Sequence, residues 1–109
     1  MSRDLDDLSE LVSRVSDGYA AKFAIQRNPD WYVLKLQEEV GELVAEYLRL
    51  TDRGRRHDAS AAEIERALAD EAADVLATVL LFARQHQIDL EAALERKWFP
   101  YLPPEGANG

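Results

Sequence analysis

Two acidic pairs stand at helical spacing in this chain: Glu39 and Glu42 within KLQEEVGEL, and Glu71 and Asp74 within DEAADVLATVLLFA. Residues three apart on an α-helix lie about 60° apart around the axis and roughly 4.5 Å apart along it, so each pair aims two carboxylates into one small volume. The second pair opens the most apolar stretch of the sequence. From Ala72 to Ala83 the only charged residue is Asp74, and Glu71 projects close to the apolar face of Ile64, Leu68, Val75, Val79 and Phe82. A helix of this character is expected to be buried on most sides. A carboxylate buried there needs a cation or strong hydrogen bonds, because otherwise it is costly or takes up a proton. Two such pairs on facing helices form a four-carboxylate cage, and oxygen-only cages suit hard cations such as Mg²⁺ or Mn²⁺.

The rest of the chain supplies the helices. Leu5, Leu8, Val12, Val15 and Tyr19 recur at steps of three and four, predicting a first helix to about Ile25, weakened slightly by Gly18. Asn28-Pro29-Asp30 stops one helix and starts another, which is expected from Asp30 to about Asp52. Its seam of Val33, Leu36, Val40, Leu43, Tyr47 and Leu50 follows heptad spacing and calls for a partner helix. Arg53 to Asp58 carries no apolar period and reads as a loop. Ser60 with Glu63 resembles a capping box opening a third helix to about Gln85, and Asp89 caps a fourth through Trp98. Pro100, Pro103 and Pro104 end regular structure, leaving a flexible tail over about 103–109. The expectation is one all-α domain over 1–109, a four-helix (up to five-helix) antiparallel bundle with its motif-bearing core at about 30–98.

Composition narrows the chemistry. With 109 residues, 47% of them hydrophobic, the chain can build a core but is short for a monomer that also encloses a substrate, so self-association is expected. A formal charge of −8 disfavours nucleic acid polymers and anionic membranes, yet leaves room for a phosphate ligand docked through a metal. There is no cysteine, which excludes thiolate sites and disulfides and fits a cytoplasmic setting. The charged N-terminus lacks the apolar core of a signal peptide, and no run approaches the ~20 residues that cross a bilayer. Neither His57 nor His86 has a Glu three residues before it, against a di-iron carboxylate bundle. The metal-free alternative is a buried ion-pair network in which Lys35, Arg49 or Arg66 neutralises the acids.

EEVGEL followed by DEAADVL resembles the paired motif, E-x-x-E then E-x-x-D, of the MazG-like all-α nucleoside triphosphate pyrophosphohydrolases. The resemblance covers roughly Leu34 to Lys97, with residues 43 to 70 between the pairs. It implies a helical bundle assembled as a dimer or dimer of dimers (homodimer or homotetramer), and cleavage of an NTP or dNTP to the monophosphate and pyrophosphate. Carried over by position, Glu39, Glu42, Glu71 and Asp74 are the Mg²⁺ ligands, with Mn²⁺ a possible substitute. Glu38 or Glu39 is the base that takes a proton from the attacking water. Substrate contacts are expected first from Lys97, then Lys35, with Lys22 or Arg27 weaker choices. Trp31 and Trp98 can stack on a base or simply pack at helix ends. No Asn-containing recognition motif follows Lys97, which leaves base and sugar selection open. The rivals are a phosphoribosyl-ATP pyrophosphohydrolase and a non-catalytic helical interaction module.

Overall fold

The computed structural model describes residues 4–105, and among them the chain forms four α-helices, a 3₁₀ turn and no strand. Helix α1 spans Leu5–Phe23, α2 Pro29–Leu50, α3 Ala61–Gln85 and α4 Leu90–Lys97, with the 3₁₀ turn at Phe99–Tyr101. Of the expected tail, residues 106–109 lie outside the described residues.

Each helix starts on a side-chain cap that occupies an otherwise unpaired backbone N–H. Asp4 accepts from the Asp7 N–H, Asn28 from that of Trp31 and Asp89 from that of Ala92. At α3 the box is reciprocal: the Glu63 N–H donates to Ser60 Oγ while the Ser60 N–H donates to the Glu63 carboxylate. Ser60→Ala is accordingly expected to cost about 1 kcal/mol, read as a lower denaturation midpoint at unchanged slope.

Helix α3 ends at Gln85 as expected, while α1, α2 and α4 end slightly inside the expected positions. Ala24 adopts the left-handed conformation (φ 53°) and closes α1 at Phe23, two residues short of the expected Ile25. Asp52, also left-handed at φ 62°, lies beyond the end of α2 at Leu50. The following loop is tied down by two arginines. Arg49 donates to the Arg55 and Arg56 carbonyls, and Arg56 reaches Asp52 and the Leu50 carbonyl. Gly54 lets the loop pass close to α2, since a Cβ there would meet the Arg49 backbone N at a tight 3.3 Å. At the other end of the chain Pro100 converts the path after Lys97 to a 3₁₀ turn.

The principal packing is α2 against α3, with α1 along α3, while α4 packs chiefly on the 3₁₀ turn. Glu39 faces Asp74 and Glu42 faces Glu71, so numbering rises on α2 as it falls on α3, an antiparallel hairpin. Arg84 at the end of α3 donates to Glu10 near the start of α1, which sets α1 antiparallel to α3 as well. Ile64 is fully buried; Tyr32, Leu80, Ala83 and Ala20 complete the buried apolar set.

Two sequence expectations meet a different outcome within one chain. The α2 seam is divided: Leu36, Leu43 and Leu50 are half-buried, whereas Val33, Val40 and Tyr47 are exposed. Helix α3 is covered on two sides rather than most, with Leu76 and Asp74 open to solvent. Periodicity specifies that a face is apolar, not which chain covers it.

Candidate metal centre

The antiparallel register brings the two acid pairs together midway along the α2–α3 hairpin. Carboxylate oxygens of Glu39, Glu71 and Asp74 lie within 4.8 Å of one another, and so do those of Glu38, Glu39 and Glu42. Glu39 belongs to both groups and joins them. It is also the most buried of these acids, at 6% exposure, although from sequence Glu71 and Asp74 had the stronger case for burial. Glu39 shares one groove with Trp31 and Lys35 of its own helix and with Asp74 of α3.

Glu39 Oε2 and Glu71 Oε2 are buried and make no hydrogen bond to the protein. Two such oxygens, on facing helices among other carboxylates, are an arrangement a protein alone does not satisfy. Burial pushes the Glu71 carboxyl above its ordinary range, and the negative charges of Glu42, Asp74 and Glu39 push it further. Asp74 is raised for the same reasons, burial first and then Glu39, with Lys35 opposing weakly. The donors are all carboxylate oxygen, a set that suits hard divalent cations over softer metals.

The ion-pair alternative receives little support from the arginines. Lys35 Nζ lies 3.4 Å from Glu38 and 3.5 Å from Glu39. Burial works against the Lys35 ammonium, but Glu38 and Glu39 outweigh it and its pKa is raised. Arg49 is committed to Glu46 at 2.9 Å and to the loop carbonyls. Among the described residues no ion pair joins Glu42, Glu71 or Asp74 to any cation, Arg66 included.

Beside the acids, a groove of about 420 Å³ opens between α1 and the hairpin. Glu39, Asp74 and Lys35 form its charged end; Tyr19, Trp31 and Arg27 stand among aliphatic walls. Trp31 meets Tyr32 edge to face, with centroids 5.1 Å apart, which leaves its ring partly open to the groove. Arg27 is held by two residues of α1, donating to Ser16 Oγ at 2.8 Å and to Asp17 at 2.9 Å. Sequence reading ranked Arg27 low and passed over Tyr19 and Ser16, because the Arg27 contacts span ten and eleven residues across a helix end. No periodic signal encodes such a pair.

The other expected substrate residues lie elsewhere. Lys97 and Trp98 end α4, and no α4 residue lines this groove. Leu90, Glu91 and Leu94 of α4 instead border a separate hollow of about 680 Å³ near the α1 N-terminus and the end of α3. Lys22 sits over the Phe23 ring on the exposed side of α1. No helix among the described residues is long and apolar enough to cross a membrane.

No curated protein and no solved structure matches the chain. A family model does, that of the MazG nucleotide pyrophosphohydrolase domain, over residues 27–98, a span that runs from Arg27 through both acid pairs to Trp98. With well over half of its length matched, and with both pairs converging on one all-α hairpin, the chain belongs to the MazG nucleotide pyrophosphohydrolase domain family.

Proposed function

We propose that the chain hydrolyses a nucleoside triphosphate, an NTP or dNTP that includes non-standard bases, to the monophosphate and pyrophosphate. The observation that carries this reading is the pair of buried, unpartnered oxygens on Glu39 and Glu71 within one carboxylate cluster, whose Glu39 and Asp74 also line the groove of about 420 Å³. In this proposal Glu39, Glu42, Glu71 and Asp74 hold Mg²⁺, for which Mn²⁺ can substitute. When bound, the ion supplies neutralisation of phosphate charge and polarisation of the phosphoryl oxygens.

The chain's own groups do the rest. Glu38 is exposed on the same helix turn as Glu39, so either can accept the proton of a water attacking the α-phosphorus as the bond to the β-phosphate breaks. Among the described residues Lys35 is the one cation paired with these carboxylates, and it can exchange its Glu38 contact for a phosphate oxygen. Trp31 and Tyr19 offer aromatic faces to the base, and Arg27 offers hydrogen-bond donors held in place by Ser16 and Asp17. Within one chain Lys97 and Trp98 have no part in this groove. The single-domain organisation, a cytoplasmic setting and a homodimeric or homotetrameric state belong to the same proposal.

The test is product analysis over a panel of ordinary and modified NTPs and dNTPs, with phosphoribosyl-ATP as a further arm. Each is assayed with Mg²⁺, Mn²⁺ or EDTA. Pyrophosphate and monophosphate in equal amounts, lost in EDTA, are expected. Exclusive turnover of phosphoribosyl-ATP moves the assignment to that substrate. Release of orthophosphate contradicts the proposed bond. No turnover of any nucleotide, together with no rise in melting temperature on adding Mg²⁺, replaces the hydrolase by a helical interaction module.

A further inference from the structure

The groove beside the carboxylates has a hydrogen-bonding polarity. Its acceptors gather at one end: Glu39, Asp74, and Thr78, whose hydroxyl gives its proton to the Asp74 carbonyl at 2.7 Å. The remaining polar side chains of its lining, apart from Lys35, are Arg27, Ser16, Tyr19 and Trp31. Trp31 stands about 12 Å along α2 from Glu39 at 1.5 Å per residue, and Arg27 precedes the Asn28 cap. A nucleotide whose phosphates reach the acids through a metal therefore extends its base toward Trp31 and Arg27.

Arg27 is held unlike a phosphate-binding arginine. Its charge is already matched by Asp17 at 2.9 Å, while Nη1 donates to Ser16 Oγ at 2.8 Å, and its side chain is only 21% exposed. Such a pair presents little net charge and suits a neutral base, which leaves Lys35 as the cation for phosphate. A guanidinium has donors and no acceptor, so the N–H groups not spent on Ser16 and Asp17 can only give protons. Ser16 Oγ accepts from Arg27, and its own hydroxyl proton is left to be donated. The Trp31 ring N–H is a donor as well. Asp17, the carboxylate that could accept from an amino group, is engaged by Arg27 and does not line the groove. Tyr19 serves either way. The base end is thus dominated by donors.

We propose that Arg27, steadied by Ser16 and Asp17, selects a 6-oxopurine, so that guanine and hypoxanthine nucleotides are taken in preference to adenine nucleotides. This rests on the hydrolase reading above and names the base of its substrate. A 6-oxopurine presents N7 and O6, two acceptors side by side on one edge, the pattern that arginine reads. Adenine places an amino group where O6 would be and sets N–H against N–H. In a partly buried groove the mismatched donors lose water without gaining an acceptor, and that loss is the penalty on the wrong base. Uracil and thymine offer an oxo group without the adjoining N7 and rank between the two. The rings of Trp31 and Tyr19 do not decide the matter, because every base has a face on which to stack.

The test compares kcat/KM for pyrophosphate release from ITP and ATP, which differ in their purine at the 6-position edge. ITP is expected to exceed ATP by about 10-fold or more, with GTP close to ITP. Arg27→Gln replaces a donor-only group by an amide that both donates and accepts, the partner suited to adenine. It is expected to bring the ITP/ATP ratio to about one or below. A merely structural role for Arg27 would lower both substrates together and leave the ratio standing. Circular dichroism checks the fold of the variant. Should Arg27→Gln fail to fold, Ser16→Ala, which keeps the Arg27–Asp17 pair, is expected to lower the ratio. Calorimetric titration with IMP and AMP, which carry no anhydride bond, reads the same preference without turnover, and IMP is expected to bind more tightly.

Equal use of ITP and ATP, or a preference for ATP, overturns the proposal. So does a ratio that survives Arg27→Gln, or Ser16→Ala where that variant decides. The hydrolase reading is separable. Tighter binding of IMP than AMP without pyrophosphate release from any nucleotide retires the activity and keeps the base site, whereas metal-dependent release at equal rates from ITP and ATP does the reverse. Neither turnover nor binding of either monophosphate overturns both.

Discussion

Glu71→Gln is expected to abolish metal-dependent pyrophosphate release while raising the melting temperature of the metal-free protein. The two effects have one cause. Glu71 places a buried, unbonded oxygen among Glu42, Asp74 and Glu39, an arrangement that costs free energy until a cation is present. The amide keeps the volume and removes the charge, so the metal-free chain is relieved of repulsion. Relief of about 1 kcal/mol raises the melting temperature by on the order of 5 °C in a chain this small. Catalysis moves the opposite way. Loss of groups that merely support a metal's ligands costs roughly 10–100-fold, and removal of a ligand is expected to cost at least ~100-fold in kcat/KM. The wild-type rise in melting temperature on adding Mg²⁺ should disappear in the variant. An active Glu71→Gln protein, or one less stable than wild type without metal, would place the ion and the strain elsewhere.

The same acids dictate a pH dependence whose sign is fixed. Folding raises the carboxyls of Glu71 and Asp74 above their ordinary values of 4.5 and 3.8. Between the ordinary and the raised values the folded chain therefore binds more protons than the unfolded one. Stability of the metal-free protein falls as pH rises through that window, and the penalty is constant above it. Glu63 acts oppositely, its carboxyl lowered by the Ser60 backbone and hydroxyl, so whole-protein curves mix the two signs. Comparison of wild type with Glu71→Gln cancels the Glu63 contribution. The stability advantage of the variant is expected at neutral pH and should close as pH falls toward 4.5.

Ile64→Ala is expected to be the most damaging single truncation of the core. Among the described residues Ile64 is the one large side chain with no exposed surface, placed near the start of α3. Removing it costs the transfer free energy of the lost carbons and a cavity, together about 2–5 kcal/mol. That corresponds to a fall of at least ~10 °C in melting temperature. Val15→Ala, at 72% exposure, should be within about 0.5 kcal/mol of wild type in the same measurement. Near-equal effects at the two positions would mean that the α2–α3 contact does not form the stable centre of this chain.

Much of the architecture was written in local pattern. The starts of α2, α3 and α4 followed from Asn28, Ser60 and Asp89, because an N-terminal cap is made by a side chain within three residues of the N–H it satisfies. The two acid pairs were legible for the same reason: three residues on one helix determine a shared face without reference to any other element. Resemblance then supplied the order of the pairs and the expectation that they converge.

Tertiary structure decided what depends on partners distant in sequence. Only the antiparallel register set Glu39 against Asp74 and Glu42 against Glu71, and made Glu39 the most buried acid rather than an ordinary helix glutamate. Only the α1 packing delivered Arg27, Ser16 and Tyr19 to the groove while leaving Lys97 and Trp98 outside it. Only the hairpin showed which half of the α2 heptad array is covered, since Val40 and Leu43 are equally apolar in sequence and opposite in fate. The physical reason is common to all of these. Periodicity and capping are functions of a few neighbouring residues, whereas burial and encounter depend on which surface of another helix arrives.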